Sequence, residues 1–286
     1  MKWEGSRESD NVEDRRDSGG GGGGFALGGR SLSIGSVAIA LIAGWIFGIN
    51  PLTLLGLMGN GTPSQVEAPA HAPPAGDRSA AFVSTVLANT EDVWTDVFKS
   101  QGAYRAPKLV LFRGATPTAC GQGQSAMGPF YCPSDQKVYI DLDFFDTLQR
   151  KLGSPGDFAQ AYVVAHEVGH HVQNLLGITE KAEAMGRRGA QGNAVSVRVE
   201  LQADCFAGVW ANRSQASKNW LENGDIDEAL NAASQIGDDT LQRRSQGTVV
   251  PESFTHGSSA QRVAWFKRGL QSGRIEQCDT FNTPSP

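Results

Sequence analysis

Val163-Val-Ala-His-Glu-Val-Gly-His-His-Val172 is the stretch on which the reading of this chain turns. It contains H-E-x-x-H as His166, Glu167 and His170. On a helix, positions i and i+4 share a face, so both imidazoles can reach one ion. Glu167 sits one residue further round, where it can address a water on that ion. Zinc held by three protein ligands keeps a fourth position open for such a water, and a carboxylate can take its proton. The flanking Val163, Val164, Ala165, Val168, Gly169 and Val172 carry no charge, so the helix should be buried. The bland alternative is a core helix with two satisfied histidines, but two histidines and a glutamate are costly to bury without partners.

A third ligand has to come from elsewhere. The pattern H-E-x-x-H-x-x-G-x-x-H fails, because Gln173 stands at its glycine and Leu176 at its third histidine. Glu200-Leu-Gln-Ala-Asp204 supplies another route. Glu200 is the expected ligand. Asp204, one turn on, is expected to hydrogen-bond a ligand histidine and fix its tautomer. An exposed acidic face is the competing reading, against which stand the apolar neighbours Val197, Val199, Leu201, Ala203 and Phe206. His171 points about 100° away from His170 and reads as structural. His256 is a candidate oxyanion donor or, equally, a cap for the helix starting near Ser258. Tyr139 is a weaker donor candidate, on a strand that could be an edge receiving a peptide.

Outward from the motif, the chain of 286 residues divides unevenly. Residues 1–31 are charge-rich and run into Gly19–Gly24, which predicts a disordered, cytoplasmic tail. Leu32 to Ile49 carries no formal charge and predicts one transmembrane helix. Lys2, Arg7, Arg15, Arg16 and Arg30 precede it and the next basic residue is Arg78, which places the N-terminus inside and the rest in the periplasm or outside. A cleaved signal segment or a soluble core helix are the alternatives. Residues 50–79, with repeated Pro and Gly, predict an extended, flexible linker. The folded domain is expected over 80–286. Its first helix follows Phe82, Val83, Val86, Leu87, Val93 and Trp94; strands are expected at Lys108–Phe112 and Lys137–Leu142; helices follow at about 143–152, 158–176, 191–212, 226–244 and 258–271. Few strands followed by many helices predict an α+β domain, mainly helical with a small sheet.

Net charge is −5 and no basic stripe is present, so nucleic acid is not an expected partner. The four cysteines lie after the apolar segment and form no C-x-x-C pair. Of three possible pairings, Cys120–Cys132 is favoured by its short Gly-rich loop, whose closure is worth roughly 3 kcal/mol. Cys205–Cys278 would then tie the tail to a central helix. Four reduced, buried thiols are the alternative.

Several segments carry a resemblance. Met1-Lys-Trp-Glu-Gly-Ser-Arg-Glu-Ser-Asp-Asn-Val-Glu-Asp-Arg-Arg16, Gly128-Pro-Phe-Tyr-Cys-Pro133, Ala165-His-Glu-Val-Gly-His-His-Val-Gln-Asn174, Glu200-Leu-Gln-Ala-Asp-Cys-Phe-Ala-Gly208 and Ser253-Phe-Thr-His-Gly257 resemble the neutral zinc metallopeptidase family of bacteria. The resemblance implies zinc, an envelope location and hydrolysis of a peptide or protein, with no defined substrate. Two rival functions share the motif: a zinc amidohydrolase acting on cell-wall peptide, and a non-catalytic envelope interaction protein. An intact Glu167 counts against the latter, since a structural site needs no base.

Overall fold

The computed structural model describes residues 1–18, 71–99, 102–125, 128–187, 192–284 and 286. The expected transmembrane segment, 32–49, lies outside them. Among the described residues no helix is long and apolar enough to cross a membrane.

A small sheet covers one side of a helical body, the α+β layout expected from the element order. The four-stranded sheet runs β1 (Val12–Asp14), β2 (Lys108–Phe112), β6 (Lys137–Asp141), β5 (Phe130–Cys132) in spatial order. β1 and β6 flank β2 in parallel, and β5 joins β6 antiparallel. A separate hairpin pairs β3 (Ala115–Thr118) with β4 (Gly121–Gln124). The helices are α1 (Arg78–Phe98), α2 (Asp143–Arg150), α3 (Asp157–Leu175), α4 (Ile178–Arg187), α5 (Gly192–Lys218), α6 (Asp225–Gln235), α7 (Asp238–Gln246) and α8 (Ser259–Ser272).

Side chains alternate across a strand, so each strand faces two environments. Leu109, Leu111, Val138 and Ile140 join the main core under the helices. Val110, Phe112 and Tyr139 point to the opposite face, where Tyr139 stacks on Phe130 at 4.9 Å and its hydroxyl donates to Asp135. The strand carrying Tyr139 is interior, with neighbours on both sides. It therefore cannot receive a peptide as an edge strand.

Helix α5 is the spine. Its contact with α8 is backbone to backbone: a Cβ on Gly269 would lie 1.9 Å from the Cys205 carbonyl oxygen. Both disulfides are present, Cys120–Cys132 across the hairpin region and Cys205–Cys278 between α5 and the tail. The helix expected over 226–244 is two, broken at Ile236 and Gly237, where a poor helix former meets the new N-terminus of α7. Helix α4 and strands β3, β4 and β5 are elements for which the sequence gives no expectation.

The largest correction concerns the N-terminus. Residues 1–18 of the expected disordered tail are folded into the domain. Trp3 packs edge-on against Phe82, and β1 extends the sheet. The Met1 ammonium lies 3.0 Å from Asp157, 3.2 Å from Glu222 and 3.3 Å from Asp225. Arg7 bridges Glu91 and Asp92, and Arg16 bridges Asp14 and Asp77. The charges that suggested a solvated tail are thus paired with residues far along the chain. Part of the expected linker is ordered too: His71 exchanges backbone hydrogen bonds with Asp14, and Asp77 caps α1. A single crossing would put residues 1–31 and 80–286 on opposite sides of a membrane. That arrangement conflicts with this packing, because residues 1–18 and α1 share one core.

Candidate metal centre

Helix α3 brings His166 and His170 to one face, and α5 presents Glu200 to the same point. The helices approach closely there because Gly169 has no side chain: a Cβ would sit 3.0 Å from the Ala203 carbonyl oxygen. His166 Nε2 lies 3.1 Å from Glu200 Oε2, and His170 Nε2 lies 3.6 Å from Glu200 Oε1. The two rings are nearly perpendicular, with centroids 4.8 Å apart. One ligand atom from each of the three residues falls within 4.8 Å of the others. Donors at zinc bond lengths of about 2.0–2.2 Å, arranged tetrahedrally, stand roughly 3.4 Å apart. The spacing and the two-imidazole, one-carboxylate donor set therefore fit zinc.

Each imidazole is oriented from behind through Nδ1, which leaves Nε2 toward the common point. His166 Nδ1 lies 2.9 Å from Asp204 Oδ1, as expected for a bond that fixes a ligand's tautomer. Asp204 is fully buried, and it also accepts hydrogen bonds from the Tyr162 hydroxyl and from Arg262 Nε and Nη2 at 2.9 and 3.0 Å. Burial disfavours its charge, but the Arg262 guanidinium and His166 outweigh it and hold the carboxyl below its ordinary range. Burial likewise works against His166, while Asp204 and Glu200 reverse the effect and push the imidazole up to about 10 in the metal-free chain. Glu200 is held well below the usual carboxylate range by His170 and His166, again against desolvation.

Glu167 is buried beside this pair, and burial raises its carboxyl despite the nearby imidazoles. His256 stands close enough to Glu200 for their charges to interact. Its side chain is 40% exposed, and its Nδ1 lies 3.2 Å from Asp238 Oδ1. The other Asp238 oxygen accepts the backbone N–H groups of Thr255, His256 and Gly257 at 2.7, 2.7 and 3.0 Å. Asp238 thus anchors the loop as well as the ring. Helix α8 is capped by Ser258 in a capping box with Gln261, so His256 is not its cap.

His171 faces away from the centre, as its angle on the helix implies. Its Nε2 donates to the Arg105 carbonyl at 2.6 Å, and its Nδ1 lies 3.0 Å from the Tyr131 hydroxyl. Tyr139 is on the far face of the sheet and takes no part. Tyr162, Gln173, Gln202, Asp238 and Arg262 were missed from sequence. Tyr162 and Gln173 did carry a signal, lying four residues before His166 and three after His170 on one helix. Arg262 and Asp238 carried none, since the partners of Arg262 lie on other helices and those of Asp238 on the loop before α8.

The profile of a family described as "Putative neutral zinc metallopeptidase" matches residues 1–281. The uncharacterized protein YpfJ of Escherichia coli K12 is 54% identical over 98% of this chain and 99% of its own length. The uncharacterized protein Mb2605 of Mycobacterium bovis is 49% identical over 63% of this chain and 64% of its own. No solved structure matches the chain.

Proposed function

This chain belongs to the neutral zinc metallopeptidase family, whose cofactor is zinc, and we propose that it hydrolyses peptide bonds at the centre formed by His166, His170 and Glu200. The observation that carries the proposal is the placement of Glu167, a buried carboxylate beside two imidazoles oriented to present Nε2 to one point. When bound, zinc supplies a Lewis acid for the attacking water and the scissile carbonyl. Glu167 takes the proton of the attacking water, and its raised affinity for protons suits it to pass that proton to the leaving amine. His256, held through Nδ1 by Asp238, offers its other nitrogen to the negative charge that develops on the carbonyl oxygen.

The substrate is a peptide or protein. Strand β5 ends the sheet on the side of α3, where Tyr131 accepts a hydrogen bond from Asn174, and an extended peptide can add to such an edge. The two disulfides favour an oxidising compartment, the periplasm or outside, for the folded domain. Glu167→Gln keeps the shape of the side chain but cannot take a proton. It is expected to retain zinc by elemental analysis and to cleave an unfolded protein substrate about 10²–10⁴-fold more slowly. Cleavage at the wild-type rate would refute the mechanism. Side-by-side assays on protein and on cell-wall peptide decide between peptidase and amidohydrolase.

A further inference from the structure

The two metal-facing imidazoles are oriented by different means, and the support of His170 leads to a disulfide. Behind His170 lie two glutamines, Gln173 on α3 and Gln202 on α5, with relative exposures of 0% and 5%. An amide buried that completely needs partners for both its donors and its acceptor. Gln173 Nε2 has two acceptors, the Val199 carbonyl at 2.8 Å and Gln202 Oε1 at 3.0 Å. Its amide is therefore set with the oxygen toward His170, whose Nδ1 lies 2.9 Å away. That oxygen can only accept. His170 must carry its proton on Nδ1 and leave Nε2 for the metal.

Gln202 is set in turn. Its oxygen serves Gln173, and its nitrogen donates to the Cys278 carbonyl at 2.9 Å. Cys278 is bonded to Cys205, three residues beyond Gln202 on the same helix. The tail beyond it is strapped to α5 by the Thr280 hydroxyl on the Arg198 carbonyl at 2.7 Å and by Arg198 on the Thr283 carbonyl at 2.8 Å. The order is disulfide, Cys278 carbonyl, Gln202, Gln173, His170.

We propose that Gln173 and Gln202 are positioning residues for His170, and that the Cys205–Cys278 bond sets the metal affinity of the centre through them. The proposal rests on His166, His170 and Glu200 being the zinc ligands. A neutral amide chain can orient the ring only while each member is held by the next. Its outer end is a main-chain carbonyl in a C-terminal tail, and the disulfide keeps that carbonyl in place.

The test is zinc affinity of the full chain, by competition with a chromophoric chelator, with the visible spectrum of the cobalt-substituted protein as a second readout. Gln173→Met keeps the volume and removes the amide. It should bind zinc about 10- to 100-fold more weakly, as for other changes behind a metal ligand, with altered cobalt bands. Gln202→Met and the double change Cys205→Ser/Cys278→Ser should each weaken zinc binding in the wild-type background. Neither should weaken it further in the Gln173→Met background, because both act through that amide. Wild-type affinity in Gln173→Met, or undiminished effects of the other two changes in that background, would overturn the proposal. Should Gln173→Met fail to fold, wild-type zinc affinity and cobalt spectra in both Gln202→Met and the disulfide variant would overturn it equally. A wild-type chain that binds no zinc would instead overturn the ligand assignment.

Discussion

His170 and His171 are neighbours in sequence, both largely buried on α3, and their electrostatic settings are opposite. His170 faces Glu200, and although burial lowers its affinity for a proton, that carboxylate raises it above the ordinary value. His171 faces the sheet, with a carbonyl, a phenol and the ring of Tyr104 around it. Burial drives it down to about 4, only partly offset by the Arg105 carbonyl. The front of α3 is a site that stabilises positive charge, ready for a cation; the back of the same helix excludes it. The contrast shows that the partners, not the burial, decide what a histidine in this core can do.

The contrast breaks most severely at Arg262. Removing it leaves Asp204 fully buried with no cation except what the metal side provides. Removing one partner of a buried ion pair typically costs 3–5 kcal/mol. Arg262→Met is expected to lower stability by about that amount in urea unfolding of the metal-free chain. A loss below about 1 kcal/mol, the range of a surface pair, would mean that the front face does not depend on this charge balance.

The back face is tested by pH. The native pKa of His171 lies below its unfolded value of about 6.5, so the neutral form is the one the fold stabilises. Its contribution is fully present above pH 6.5 and is lost as pH falls toward about 4. A difference of that size is worth about 3 kcal/mol. Unfolding free energies at pH 7 and pH 4 should therefore converge in His171→Asn relative to wild type. Equal pH dependence in both chains would show that the ring is not held neutral.

The smallest effect is expected at Tyr131. Its hydroxyl accepts from Asn174 and serves the unprotonated Nδ1 of His171. Tyr131→Phe removes those bonds and should cost about 1 kcal/mol, with zinc affinity unchanged. A change in zinc affinity would mean that the two faces of α3 communicate.

The parts of this centre that could be read from sequence are those separated by one helical turn. His166 with His170, and Glu200 with Asp204, are i, i+4 pairs, and that period survives whatever the tertiary structure does. The crossing of α3 and α5 was implied only by the need for a third ligand. Arg262 could not be read, because in sequence it is one more arginine on an amphipathic helix and its value lies in Asp204, three helices earlier. Residues 1–18 were misread for the same reason. Arg7 and Glu91 form an ion pair only after the chain has folded, and composition alone makes such a stretch look solvated. Strand β4 is Gly-Gln-Gly-Gln, with no β-branched residue, and β3 carries Pro117 at its centre, so neither shows the usual strand signal.

The bridge between Asp14 and His71 works as a gate: the described chain before residue 19 and the described chain from residue 71 onward meet there. Asp14 and His71 are hydrogen-bonded to each other through both backbones, at 2.7 and 3.1 Å. The same gate is a place to cut. A chain in which a short Gly-Ser bridge replaces 19–70 should keep the sheet and the zinc site, and could carry a foreign module there instead.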